Sequence, residues 1–177
     1  MRSVGPVRII GPVLDDELFI PLATYESPLW PSVERGARVT AAAGGIRTVI
    51  HDDRMTRSVL FEAPDAEIAS AAIHEIRTRM ADLAAVAEAG SRYTKFLDMH
   101  DQVVGNLLFL RLEMHTGDAS GHNMVTAGAD RVVQWVLDTF PSLQYVSVSG
   151  NYCSDKKPTA VNAILGRGKS VIAETLI

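Results

Sequence analysis

Pro64-Asp65-Ala66-Glu67-Ile68-Ala69-Ser70-Ala71-Ala72-Ile73-His74-Glu75-Ile76 is the stretch that sets the architecture. Asp65 can cap the first turn of a helix, and Ile68, Ala72, Ile76, Met80, Leu83 and Ala87 follow at spacings of 4, 4, 4, 3 and 4. The spacing predicts one amphipathic helix that Gly90 stops. Working outward, Thr48, Val49 and Ile50 read as a strand, residues 55–61 as another, and residues 103–113 as a third. Residues 118–123 read as a turn. A second helix then places Val125, Ala129, Val132, Val136 and Phe140 on one face before Pro141 halts it, and residues 144–149 return as a strand. From residue 60 to 148 the order is strand, helix, strand, helix, strand, with room for one more strand. That order suits an α+β chain with a small split βαβ sheet of ferredoxin-like type. It reads as an insertion in a larger α/β domain. Upstream, apolar bursts between residues 7 and 21, broken by Gly11-Pro12 and Asp15-Asp16-Glu17, read as a hairpin. Residues 29–43 read as a helix with Pro31 in its first turn and Gly44-Gly45 as its stop.

A chain of 177 residues with 47% hydrophobic content can bury a sizeable core. Its net charge of -4, with no basic block longer than Lys156-Lys157, argues against nucleic acid as a partner. A single cysteine rules out an intramolecular disulfide framework, and no apolar h-region follows Met1. No apolar run reaches the roughly 18 residues of a spanning helix. A soluble, cytoplasmic protein without membrane partners is expected. His51, His74, His100, His115 and His122 show no metal-ligand spacing, so no metal is expected. There is no Gly-x-Gly-x-x-Gly, and Gly168-Lys169-Ser170 resembles the end of a P-loop only until Ala163, which stands where its first glycine is needed. Cys153 reads as packing.

The chemistry-bearing stretch is Ser149-Gly150-Asn151-Tyr152-Cys153-Ser154-Asp155-Lys156-Lys157-Pro158. Two lysines beside an aspartate, held between a glycine and a proline, can form an anion or oxyanion site. The plainer alternative is a solvated Lys-Lys pair at a turn. Together with Asn162 and the run Gly166-Arg167-Gly168-Lys169-Ser170-Val171, the stretch resembles the catalytic loop of hydroxymethylglutaryl-CoA reductases of class I type. Further motifs extend the resemblance from about residue 10 to residue 177.

The resemblance implies NADPH-dependent reduction of hydroxymethylglutaryl-CoA to mevalonate in a homodimer or larger assembly. It implies that Lys156 stabilises the thioester oxygen and that Glu26, in Ala23-Thr24-Tyr25-Glu26-Ser27, relays a proton. Tyr25 and Ser27 depart from the family's Thr and Gly there. A carboxylate near a helix N-terminus is also ordinary. Arg57 matches the arginine that grips the substrate carboxylate, as a guanidinium can with two parallel hydrogen bonds. Ser149, Asp155 and Lys157 complete the acyl-binding set. Arg35 and Arg38, three apart on one helix face, match a coenzyme A phosphate contact, although Glu34 replaces a usual Asn; a solvated face is the alternative. Ser91-Arg92 resembles the pair that holds the 2′-phosphate of NADPH. Asp118-Ala119-Ser120-Gly121-His122-Asn123-Met124 resembles the cofactor motif, with Ser120 and His122 in place of two methionines. Gly121 there would let a dinucleotide approach free backbone N–H groups. The implied division is residues 1–59 as part of a substrate-binding domain, 60–147 as an NADP-binding small domain, and 148–177 as the catalytic loop and return. Family chains begin earlier and run on to a further catalytic Asp and His. A catalytically silent nucleotide- or acyl-CoA-binding chain that needs a partner is therefore the competing expectation.

Overall fold

The computed structural model describes residues 1–154 and 158–177. The chain is α+β and divides into two units, Met1–His51 with Ser170–Ile177, and Asp52–Lys169. In the first unit, β1 (Arg2–Ile10) and β2 (Asp15–Leu22) form the expected antiparallel hairpin. Helix α1 (Leu29–Ala42) packs on β1 and carries the chain to β3 (Ile46–Glu62), whose first residues run parallel to β1. Two parallel neighbours need such a crossover. Gly45 ends the connection at φ +106°, where a Cβ would come within 2.7 Å of Arg8 Cγ.

Strand β3 is one 17-residue strand rather than the two the sequence predicts. The polar residues that read as a break, Asp52, Asp53 and Arg54, stay extended because their side chains find partners. Arg54 Nε donates to Asp52 at 2.8 and 2.9 Å, and Lys169 Nζ donates to both Asp53 oxygens.

In the second unit β3 is joined by β4 (Lys95–Val104), β5 (Leu107–His115) and β6 (Gln144–Val148). The order is β6-β3-β5-β4, and each neighbouring pair is antiparallel. The predicted strand over 103–113 is therefore a hairpin: Gly105, at φ +60°, turns β4 into β5. Alternation with half-exposed residues hid β4. The predicted single helix is also two, α2 (Ala66–Thr78) and α3 (Met80–Glu88), meeting at Arg79 with φ -111°. The spacings of 4, 4, 4, 3 and 4 stay within about 120° of one helix face, so the pattern alone gave no sign of the break; Ile76 before it and Leu83 after it are both fully buried. Asp65 caps α2 as expected, accepting from Ile68 N at 2.8 Å. Helix α4 (His122–Thr139) begins earlier than predicted and packs against α3. Gly128 permits that approach, since a Cβ there would lie 3.0 Å from Ala87 O and 2.9 Å from Met114 Cε.

The two faces of this sheet differ in chemistry. Val59, Phe61, Leu108, Leu110, Leu112 and Met114 turn toward α2, α3 and α4 and form the apolar core. The alternate residues Thr56, Ser58, Arg111 and Glu113 are equally buried but polar. They lie against the segment that follows β6. Ser149 N–H donates to Ser58 O at 2.7 Å, Arg167 Nε to Thr56 Oγ1 at 3.1 Å, and Arg111 to Gly166 O at 2.5 Å. The short α5 (Ala160–Leu165), capped by Thr159, leads to Gly166 and β7 (Gly168–Glu174), which pairs with β3. Glu113 accepts from Arg111 and from Arg54, with His100 Nε2 3.5 Å away. Burial pushes the Arg111 guanidinium down, and the Glu113 carboxylate opposes that shift. No helix among the described residues is long and apolar enough to cross a membrane.

Glu113→Ala leaves a buried guanidinium without its carboxylate and should cost about 3–5 kcal/mol in urea unfolding; a loss below about 1 kcal/mol would show that the pair is not a buried constraint. Glu88 accepts from Phe96 N–H at 2.8 Å, which holds its carboxyl below the ordinary carboxylate range, with Lys95 adding to the effect. Because the folded value is the lower one, this stabilisation is full above the ordinary value and is lost as pH falls through the folded value. The difference in urea midpoint between the wild-type protein and Glu88→Gln should therefore shrink on acidification from pH 7. A constant difference would remove the linkage.

Candidate functional site

Pairing register shows which loops gather in the second unit. Lys95 pairs with His115, Met55 with Met114, and Val59 with Val148. The segment before β4, the turn after β5 and the loop after β6 therefore leave the same end of the sheet, where α4 also starts. Ser91, Arg92, Asp118, Ser120, Gly121, His122, Asn123 and Ser149 sit on those segments. Arg57 lies on β3 beside them.

Each is held by local chemistry. Ser91 Oγ accepts from Thr94 N at 3.1 Å and from Thr94 Oγ1 at 2.9 Å, closing the turn after α3. The exposed Arg92 stacks its guanidinium 4.7 Å from the Tyr93 ring centroid. Asp118 and Ser120 are exposed on the turn, and Ser120 Oγ lies 3.4 Å from His122 Nδ1. Gly121 is the N-cap of α4 at φ +79°, and a Cβ there would collide with Thr116. Gly121 gives α4 no side-chain cap, and exposed Asn123 stands in its first turn, the part of a helix whose dipole favours an anion. These residues fit a dinucleotide: a helix N-terminus capped by a glycine that no side chain could replace, and an exposed cation at the same end of the sheet.

Ser149, at φ +84°, is fixed through its N–H to Ser58 O, and its Oγ lies 3.3 Å from the buried Cys153 Sγ. Cys153 is thus packed beneath the loop. Arg57 is part-buried and its Nε is buried with no acceptor among the described residues. A buried donor left over in this way suits an external carboxylate. Asp155, Lys156 and Lys157 lie outside the described residues. In the first unit, Glu26 is exposed just before α1. Its N–H donates to Thr24 Oγ1 at 2.9 Å, and it lines a hollow of about 230 Å³ with Pro28, Leu29 and Ser32. Arg35 and Arg38 are exposed on α1.

Sequence reasoning passed over Asp53, His115 and Lys169. Lys169 Nζ donates to Asp53 at 2.8 and 2.9 Å and to Gly117 O at 3.0 Å; His115 Nε2 is 3.3 Å from Asp53. Asp53 and Lys169 help line a cavity of about 340 Å³ with Met55, Thr116, Asp118, Ala119, Ser120 and Gly168. The lone signal was Gly168-Lys169-Ser170, which spacing dismissed as a P-loop. No group of three or more His, Cys, Asp or Glu side chains suited to a metal occurs among the described residues.

The chain is 43% identical over its whole length to the 3-hydroxy-3-methylglutaryl-coenzyme A reductase of Pyrococcus abyssi, and 40% identical over 98% of its length to that of Aeropyrum pernix. It spans 44% and 41% of those proteins, less than half of each. A solved class II 3-hydroxy-3-methylglutaryl-CoA reductase from Streptococcus pneumoniae, described as bound to NADPH, superimposes with a TM-score of 0.68. The match covers 87% of this chain and 42% of that one, at 18% identity, which speaks to the fold alone. The model of the hydroxymethylglutaryl-coenzyme A reductase family matches residues 3–177, and the chain belongs to that family.

Proposed function

We propose that this chain forms the cofactor-binding and acyl-binding parts of an NADPH-dependent hydroxymethylglutaryl-CoA reductase, which reduces hydroxymethylglutaryl-CoA to mevalonate and CoA. One observation carries the reading. The segments that resemble the family's cofactor motifs, Ser91-Arg92 and residues 118–123, leave one end of one sheet, beside an uncapped helix N-terminus. The order β3-α2-α3-β4-β5-α4-β6, with antiparallel sheet order β6-β3-β5-β4, is our basis for reading the second unit as a ferredoxin-like split βαβ nucleotide-binding domain. We assign residues 60–147 to that small domain, 1–59 to the start of the substrate-binding domain, and 148–177 to the catalytic loop and return.

NADPH supplies hydride when bound. Arg92 pairs with its 2′-phosphate beside Ser91, while Gly121 and Asn123 admit the dinucleotide to the first turn of α4, with Asp118, Ser120 and His122 around it. Arg57 takes the substrate carboxylate with its leftover donor, and Ser149, Asp155 and Lys157 orient the acyl group. Lys156 stabilises charge on the thioester oxygen, and Glu26 moves the proton. Arg35 and Arg38 face the coenzyme A phosphates. A homodimer in the cytoplasm is the setting that this family resemblance supports.

Arg92→Ala should weaken NADPH by about tenfold or more, the loss of one charge-assisted contact, and leave NADH nearly unchanged. Equal weakening of both, measured by nucleotide fluorescence, would remove the 2′-phosphate role. Lys156→Ala should lower NADPH oxidation with hydroxymethylglutaryl-CoA about a hundredfold or more, and unchanged turnover would refute the assignment.

A further inference from the structure

Gly117 has both of its peptide groups held by side chains. Its N–H donates to His115 Nδ1 at 3.3 Å, and its carbonyl accepts from Lys169 Nζ at 3.0 Å. Those two side chains share one carboxylate. Lys169 Nζ donates to both oxygens of Asp53, and His115 Nε2 lies 3.3 Å from Asp53 Oδ2. With Nδ1 accepting from Gly117, the imidazole is the Nε2–H tautomer, whose proton points to Asp53. Three elements therefore converge on one glycine: Asp53 comes from β3, His115 from the end of β5, and Lys169 from β7.

That glycine opens the turn into α4. Gly117 itself is at φ +62°, Thr116 Oγ1 donates to Ala119 O at 2.9 Å, and Gly121 rests against Thr116. A displacement at Gly117 would be passed through this short turn to the first turn of α4. The cavity of about 340 Å³ beside the turn is lined by both Asp53 and Lys169. The Asp53 and Lys169 side chains are 26% and 41% exposed, so their ion pair contributes little to global stability. What it does constrain is where the turn sits.

We infer that Asp53, His115 and Lys169 form a clamp on Gly117 that positions the 116–121 turn for the dinucleotide, and that these are positioning residues for cofactor affinity. The inference rests on the reading of residues 118–123 as cofactor-binding. Lys169→Met removes the donor to Gly117 O, and His115→Phe removes the acceptor for Gly117 N–H. Both should leave the urea midpoint nearly unchanged, speed hydrogen exchange at the Gly117 amide, and weaken NADPH by roughly tenfold, as loss of a supporting shell does. Lys169→Arg, which keeps a donor and the charge, should restore most of the affinity. In the unsubstituted protein, the His115 ring nitrogens should show the Nε2–H tautomer by NMR. Unchanged Gly117 exchange in both variants, or the opposite tautomer, would overturn the clamp. Faster exchange with unaltered NADPH affinity would overturn its role in cofactor binding. If the unsubstituted protein fails to bind NADPH at all, the cofactor reading itself falls, and the exchange data still report separately on the clamp.

Discussion

Glu113 sits fully buried on β5 between the guanidiniums of Arg111 and Arg54, and the second unit is arranged around the need to keep that carboxylate paired. A charge with no access to water is tolerated only when its partners and hydrogen bonds are complete. Arg111 answers Glu113 and also reaches Gly166 O. Arg54 answers Glu113 and also holds Asp52, whose hydrogen bond raises the Arg54 pKa. The chain segment after β6 is therefore drawn onto the polar face of the sheet. Gly166 sits at φ +82°, a conformation that favours glycine, and a Cβ there would also crowd the Asp52 carboxylate.

The consequence is a sheet with two unlike buried faces. One is an apolar layer against three helices, which supplies most of the stabilisation, at about 25 cal/mol per Å² of apolar surface removed from water. The other is a floor of hydrogen bonds to Ser149, Gly166 and Arg167, which positions the loop ends and adds comparatively little net energy. Division of labour of this kind suits a functional loop: apolar burial keeps the domain folded, while directional polar contacts decide where each loop begins.

At the end of the sheet, the same logic repeats on a smaller scale. Three turns emerge together: side chains close two of them, Ser91 for the turn after α3 and Thr116 with Lys169 for the turn after β5, and the backbone N–H of Ser149 anchors the loop after β6 on the Ser58 carbonyl. Among the described residues, Arg57 Nε is buried without an acceptor, and Gly121 gives α4 no side-chain cap. A buried guanidinium nitrogen left over in this way suits an anionic ligand.

Local rules made much of this legible. Asp65 announced its helix, Pro31 and Gly44-Gly45 bounded α1, and the motifs at residues 91–92, 118–123 and 149–158 carried the family resemblance. The break at Arg79 was not legible, because the spacings of 4, 4, 4, 3 and 4 stay on one face of a straight helix; only the packing of Leu83 and Ala87 shows it. The hairpin at Gly105 was hidden because β4 is half-exposed and mixes charges with apolar residues. The continuity of β3 was hidden because its polar middle is stabilised by residues far along the chain. By itself, the sequence determined the class of fold and the family, since caps, periodicity and short motifs depend on near neighbours. Only the tertiary structure decided that Glu113 is buried between two arginines and that Asp53, His115 and Lys169 meet at Gly117. Those contacts join residues up to 116 positions apart, and no local pattern encodes which distant partner will satisfy a charge.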